Sequence, residues 1–293
     1  MSAITDNPSD ITYQSARLGG SADGEGMEMV DWGLWLGDYP DNNWDMIDSG
    51  GWYYYGSNSE VYGGLTPSHH YVVQLRTDQF GSGDVKDFWT AALPAPTNVQ
   101  ASDGTYTDKV RVTWSGIAGM QFRVYRNGVD VSGLLSNVFT WDDTTAPAPS
   151  ITPGTADASD GTSSTHVTLS LSGESASNGS TASYTVTTVL GGAESAASSA
   201  DTGYRSVGSL TYQWQRSAGD SDASYSTISG ATTDPYSDTG APDDGSGRYY
   251  KCVLSASGAS SQTSTADRGY RGGQPMAQRV RGSKLSSFHG HIR

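Results

Sequence analysis

Only one cysteine, Cys252, occurs in 293 residues, so no disulfide can form within the chain and its fold must rest on packing. Basic residues are scarce: 17 Lys and Arg against 31 Asp and Glu leave a formal net charge of -14. Such a body repels phosphate backbones and anionic membranes, which argues against nucleic-acid binding. No apolar run approaches the ~18 residues of a membrane span, so membrane insertion is not expected. The opening MSAITDNPSD has neither a basic n-region nor an apolar h-region. The expectation is synthesis in a cytoplasm without export by the general secretion route, which suits a lone thiol. Chemistry-bearing motifs are missing as well. There is no Gly-x-Ser-x-Gly, no metalloprotease His-Glu pair, no phosphate loop and no zinc-type cysteine spacing. A non-enzymatic protein without a cofactor is therefore expected.

Several small cores suit this composition better than one large one, because 35% of residues are hydrophobic while 37 are Gly. Long stretches read as Ser, Thr, Ala, Asp and Gly, yet aromatic and β-branched residues recur through them at strand-like spacing, which disordered chains lack. The expected fold class is all-β, with three sandwiches in tandem. Residues 1–93 form an aromatic-rich first domain. A second takes 94–147 plus 180–206, a third 148–179 plus 207–271, and 272–293 is a basic tail.

The interleaving of the second and third domains follows from duplicated boxes. Ala-Ser-Asp-Gly-Thr occurs at 101–105 and again at 158–162, each time ahead of an alternating strand: Val110, Val112 and Trp114 in one case, Val167, Leu169 and Leu171 in the other. Two segments of equal length, from Ser183 and from Tyr249, then close on the same Gly-Tyr-Arg. Between Leu171 and Ser183 there is no room for the middle strands of a sandwich. The second beginning must therefore wait for the second ending, although sequential elements usually pack together. An Asn127-Gly128 pair between alternating runs predicts a two-residue hairpin turn.

Particular residues carry a family resemblance. Leu65, Pro67 and Tyr71 resemble the Leu-x-Pro step before the strand-F Tyr of fibronectin type III domains, and Trp114 holds the place of that fold's buried core Trp. Trp214 and the Tyr250-x-Cys252 pair resemble strand C and the tyrosine corner of immunoglobulin domains, without the partner cysteine of strand B; Leu169 or a neighbour is expected to fill that space. Residues from about 65 to 271 together resemble the fibronectin-III and immunoglobulin-like modules of tailed-bacteriophage structural proteins. That resemblance implies a virion protein of tail or head, made in the host cytoplasm and extracellular after lysis. It implies other virion proteins and further copies of the chain as partners. No ligand follows from it.

For recognition, the candidates are Trp32, Trp35, Trp44, Trp52, Tyr53, Tyr54 and Tyr55, whose flat rings could stack on a host-surface glycan or form protein hot spots; filling the core is the ordinary alternative. Asp38, Asp41, Asn42, Asn43, Asp45 and Asp48 offer oxygen ligands but match no calcium-loop spacing, and read as a solvated acidic turn. His69 and His70 are expected to point to opposite faces. Within the basic tail, Arg279, Val280, Arg281, Lys284, Leu285 and Phe288 combine charge with apolar grip and are candidates for docking onto an acidic partner. His289 and His291 could gather around a symmetry axis and bind a transition metal. Two rival readings stand beside the virion protein: a bacterial surface adhesin or carbohydrate-binding module, and a tail-associated polysaccharide-degrading enzyme, which would need paired carboxylates in a cleft.

Overall fold

The computed structural model describes residues 2–23, 30–38, 43–52, 56–77 and 81–272, with the side chains of 2, 22–23, 30–34, 43–52 and 56–58 outside that description. The described chain is all-β. Its first module holds β1 (Ser2–Thr5), β2 (Ala16–Asp23), β3 (Val30–Asp38), β4 (Asn43–Trp52), β5 (Gly56–Tyr62), β6 (His70–Thr77), β7 (Gly81–Ser82) and β8 (Lys86–Trp89). Next come β9 (Thr97–Ala101), β10 (Val110–Ser115), β11 (Gln121–Arg126), β12 (Val129–Asp130), β13 (Leu135–Ser136) and β14 (Thr140–Asp143). Then follow β15 (Ser150–Thr152), β16 (Thr155–Ala158), β17 (Val167–Ser172) and β18 (Ser175–Ser177), before β19 (Ala182–Leu190), β20 (Ala193–Glu194) and β21 (Asp201–Gly203). The chain ends its described course in β22 (Thr211–Ser217), β23 (Tyr225–Thr227), β24 (Tyr236–Asp238), β25 (Arg248–Ser255), β26 (Gln262–Thr263) and β27 (Asp267–Gly269).

A common plan organises these strands. One sheet has three strands, ordered β1-β2-β5, β9-β10-β14 or β16-β17-β24. Its companion centres on the antiparallel pair β3-β6, β11-β19 or β22-β25, flanked by short edge strands. The pairings cross the sequence: β11 and β19 pair from Gln121↔Val189 to Arg126↔Tyr184, although β15 to β18 intervene. Two compact units result, one of the described residues within 2–101, 111–143 and 182–202, the other of residues 102–110, 144–181 and 203–272. We refer to β9–β14 with β19–β21 as the middle module, and to β16–β18 with β22–β27 as the last.

Alternation explains why these segments are strands with one apolar face. On β10, Val110, Val112 and Trp114 are buried while Arg111 and Thr113 are half-buried, and Phe122 and Val124 of β11 face them from the other sheet. In the last module Val167 and Leu169 share a core with Trp214, Tyr250, Cys252 and Leu254. Leu169 thus occupies the core where a disulfide partner was missing. Each such burial contributes ~1.5–3 kcal/mol. The first module packs Ala16 and Leu18 of β2 against Tyr71, Val73 and Phe88 of β6 and β8. At the hairpin, Arg126 pairs with Val129, and both Asn127 (φ 50°) and Gly128 (φ 80°) adopt the left-handed conformation a tight two-residue turn requires.

The duplicated boxes form two matching clasps. The Ala101 N–H donates to the Asp201 carboxylate and the Ala158 N–H to that of Asp267, both at 2.8 Å. Gly104 N–H bonds the Tyr204 carbonyl at 3.0 Å, and Gly161 N–H that of Tyr270 at 2.7 Å. Both glycines have φ +65°, and a Cβ there would lie 2.8 or 2.7 Å from the tyrosine ring, so the Gly of each box is required twice over. Arg205 then donates to the carbonyls of Thr107 and Ala146, and Arg271 to those of Ser164 and Ala241.

Candidate functional site

Buried charge is the first place to look for chemistry. In the middle module Asp143 is fully buried and accepts from Arg126 Nη1 at 2.6 Å and from the Tyr184 hydroxyl at 2.9 Å. The last module repeats this with Asp238, Arg216 Nη1 at 2.6 Å and Tyr250 at 3.3 Å, and the second Asp238 oxygen accepts from the Gly240 N–H at 3.0 Å. Burial, with the neighbouring carboxylate, raises both tyrosine pKa values well above the ordinary phenol range. Each buried carboxylate thus accepts from a guanidinium and a phenol together, which satisfies the charge that burial would otherwise leave unpaired. Tyr250 was expected to act as a tyrosine corner. Its hydroxyl goes to a carboxylate instead, and the residue that bonds upstream backbone is Tyr71, whose hydroxyl accepts from the Thr66 N–H at 2.9 Å.

Beside Asp238 opens a polar cavity of about 490 Å³, lined by residues including Arg216, Ser217, Ser226, Thr239 and Arg248. Arg248 Nη1 bonds the Ser246 hydroxyl and the Gly247 carbonyl.

A different arrangement occupies one face of the first module. Along β6 the residues Tyr71, Val73 and Leu75 turn into the core, which sends His70, Val72, Gln74 and Arg76 to the opposite face, where Val72 is covered at 2% exposure. Directly across from His70 stands Trp89 of β8, and across from Gln74 stands Trp35 of β3. Trp89 is 60% exposed. Its ring stacks on the His70 imidazole with centroids 4.5 Å apart and planes 10° from parallel, and His70 Nε2 is fixed by Asp87 Oδ2 at 2.8 Å. The Asp87 side chain is 64% exposed. Further along the face the Arg76 guanidinium lies 4.8 Å from the centre of the Trp35 ring, and its Nε donates to Gln74 Oε1 at 2.9 Å.

Of the aromatic residues singled out from sequence, Trp35 alone joins this face with its side chain described. Trp32 lies on β3 and Trp44 and Trp52 on β4, their side chains outside the described residues, as are Tyr53, Tyr54 and Tyr55 altogether. Arg279, Val280, Arg281, Lys284, Leu285, Phe288, His289 and His291 also lie outside them. The acidic run is a correction: Asn43, Asp45 and Asp48 belong to strand β4 and not to a turn, because the apolar alternation of Trp44 and Met46 extends the β3 hairpin through them. Asp38, at the end of β3, bonds His69 Nε2 at 2.9 Å. His69 and His70 therefore have separate partners. Trp89 went unremarked as a site residue, although its position after the inward Phe88 on an alternating strand marks it as facing outward.

No family model matches the chain, and no curated protein matches it. Among solved structures, the sensor domain of the anti-sigma factor RsgI4 of Pseudobacteroides cellulosolvens aligns at 19% identity over 31% of this chain and 94% of that one, with a TM-score of 0.29. The chicken CNTN1 FN1–FN3 domains align at 12% identity over 90% of this chain and 98% of that one, with a TM-score of 0.25. Superpositions at these scores carry no argument about role. The all-β architecture rests on the strand pairings themselves.

Proposed function

We propose that this chain is a non-enzymatic structural protein of a tailed-phage virion, an appendage or decoration of tail or head that presents its β-modules outward. In this reading the basic tail docks onto other virion proteins, the chain assembles in several copies, and the first module contacts the host surface. The observation that carries the reading is the duplicated clasp. Asp201, Tyr204 and Arg205 in one copy, and Asp267, Tyr270 and Arg271 in the other, direct their polar groups at backbone of the Ala-Ser-Asp-Gly-Thr loops or close beside them. Aspartate and arginine side chains bound to backbone, with the tyrosines joined through their own backbone, lock a scaffold; they do not turn over a substrate. Acidic modules joined without disulfides suit a protein folded in a cytoplasm and released by lysis.

Cryo-electron microscopy of intact particles from the source tests the proposal. The expected result is this chain at a symmetric site with residues 272–293 buried against a neighbour. Absence from particles overturns it and leaves the adhesin reading in its place.

A further inference from the structure

We propose that the β3-β6-β8 face of the first module is a binding site for neutral glycan chains, with Trp89 as its principal stacking platform. The inference deepens the host-contact role proposed above and rests on that reading.

Three features carry it. An indole that is 60% exposed is unusual on a soluble protein, where most of a Trp ring is normally covered. This ring is also held in place before any ligand arrives. One side of it stacks on His70, and His70 is in turn fixed by Asp87, so the order needed to present the ring is built into the fold. Around the ring the surface is polar, with the exposed Asp87 carboxylate beside it and the Gln74 amide and Arg76 guanidinium further along. A protein partner would cover such a ring with contacts that exclude water once bound. A sugar instead offers both an apolar C–H face for an indole and hydroxyls for a carboxylate or amide, which is the combination found here.

Charge narrows the class. The carboxylates of Asp84 and Asp87 are 89% and 64% exposed on or beside β8, Lys86 Nζ at 3.8 Å from Asp84 and the Arg76 guanidinium offset part of that charge, and the chain as a whole carries a net charge of -14. An acidic polysaccharide would be repelled, so the ligand is a neutral one. The register sets the length. Trp89 pairs opposite His70 and Trp35 opposite Gln74, on the two flanks of β6. Four residues along a strand and two strand spacings across place the two indoles roughly 16 Å apart. One sugar cannot span both; a short oligosaccharide can.

The test uses the full chain on an array of neutral and acidic oligosaccharides, followed by titration calorimetry with cellotetraose, maltotetraose, chitotetraose and the corresponding monosaccharides. Binding of a neutral tetrasaccharide is expected, with Trp89→Ala weakening it by about tenfold or more and Trp89→Phe retaining most of it. Trp35→Ala should weaken the tetrasaccharide and leave monosaccharide binding unchanged. Unaltered thermal unfolding of Trp89→Ala separates loss of the platform from loss of the fold. The inference is overturned if no neutral glycan binds, if only acidic ones do, or if Trp89→Ala binds as the parent does. Because particle imaging is independent of this titration, binding by a chain absent from particles would sink the virion reading alone. A chain seated in particles that binds no glycan would sink the present one alone.

Discussion

The middle and last modules have the same clasp and the same Arg-Asp-Tyr cluster, yet they fill their cores differently. Aligned on Arg126 and Arg216, the central layer of the middle module is Val112, Val124 and Val186, while that of the last is Leu169, Trp214 and Cys252, all fully or almost fully buried. The middle module places its large rings one layer away, where Trp114 meets Phe122 edge-on at 5.6 Å. Sandwich cores therefore tolerate moving a Trp from one sheet to the other so long as total volume is conserved. What did not move is the buried ion pair. A carboxylate taken out of water must keep its partners, whereas apolar volume can be supplied from either sheet.

Removing the carboxylates tests the invariant half of that comparison most severely. Asp143→Ala leaves Arg126 and Tyr184 without their shared acceptor and should cost about 3–5 kcal/mol. Asp238→Ala should fall at or below the lower end, because Arg216 lines the open cavity and water can replace the lost oxygen. Urea unfolding followed module by module through hydrogen exchange reads both, and equal losses would break the distinction.

Exchanging rings tests the variable half. Trp214→Phe gives up core volume and the 3.0 Å bond from Nε1 to the Thr233 carbonyl, and should cost about 2 kcal/mol. Among the described residues the buried Trp114 Nε1 has no hydrogen-bond partner. Trp114→Phe removes that orphan together with some volume, so a loss of about 1 kcal/mol or less is expected. A larger loss at Trp114 than at Trp214, in paired denaturation curves, would overturn the layer assignment.

Smaller effects separate the tyrosines and the thiol. Tyr184→Phe removes a 2.9 Å bond and should cost about 1.5 kcal/mol, while Tyr250→Phe removes a 3.3 Å one and should cost about half of that. Burial pushes the Cys252 thiol up to about 11. Its folded pKa exceeds the unfolded value, so the protonated thiol contributes stability in full below about pH 9 and loses it as pH climbs toward about 11. The middle module has Val186 at that position. Between pH 8 and 10 the thiol should therefore cost the last module about 1 kcal/mol that the middle one keeps, and Cys252→Val should shrink the difference in pH-dependent melting by that amount, leaving the part due to the burial-raised Tyr212 and Tyr225.

Much of this was legible in sequence. The inward Trp114 and the Asn127-Gly128 turn followed from alternation and local conformational preference, while the places of Trp214 and Leu169 came from the immunoglobulin resemblance. The clasp boxes were visible as repeats. The Arg-Asp-Tyr clusters were not, although Asp143-Thr-Thr-Ala-Pro147 and Asp238-Thr-Gly-Ala-Pro242 stand in the chain as a repeat. Their meaning lies in Arg126 and Arg216, which sit on the facing sheet. The same holds for the recognition face: Trp35 was read as one of a cluster along β3 and β4, while the partners that define the face, His70, Arg76 and Trp89, come from β6 and β8.

By itself, then, the sequence determined the strand class, the face each alternating residue takes, the tight turn and the absence of an internal disulfide. These depend on φ/ψ preferences and period-two patterning within a few residues. Tertiary structure alone decided that Asp143 and Asp238 each sit in a ring of donors and that Trp89 rests on His70. Alternation fixes which way a side chain points but not which strand lies beside it, and that choice is made by packing between residues far apart in the chain.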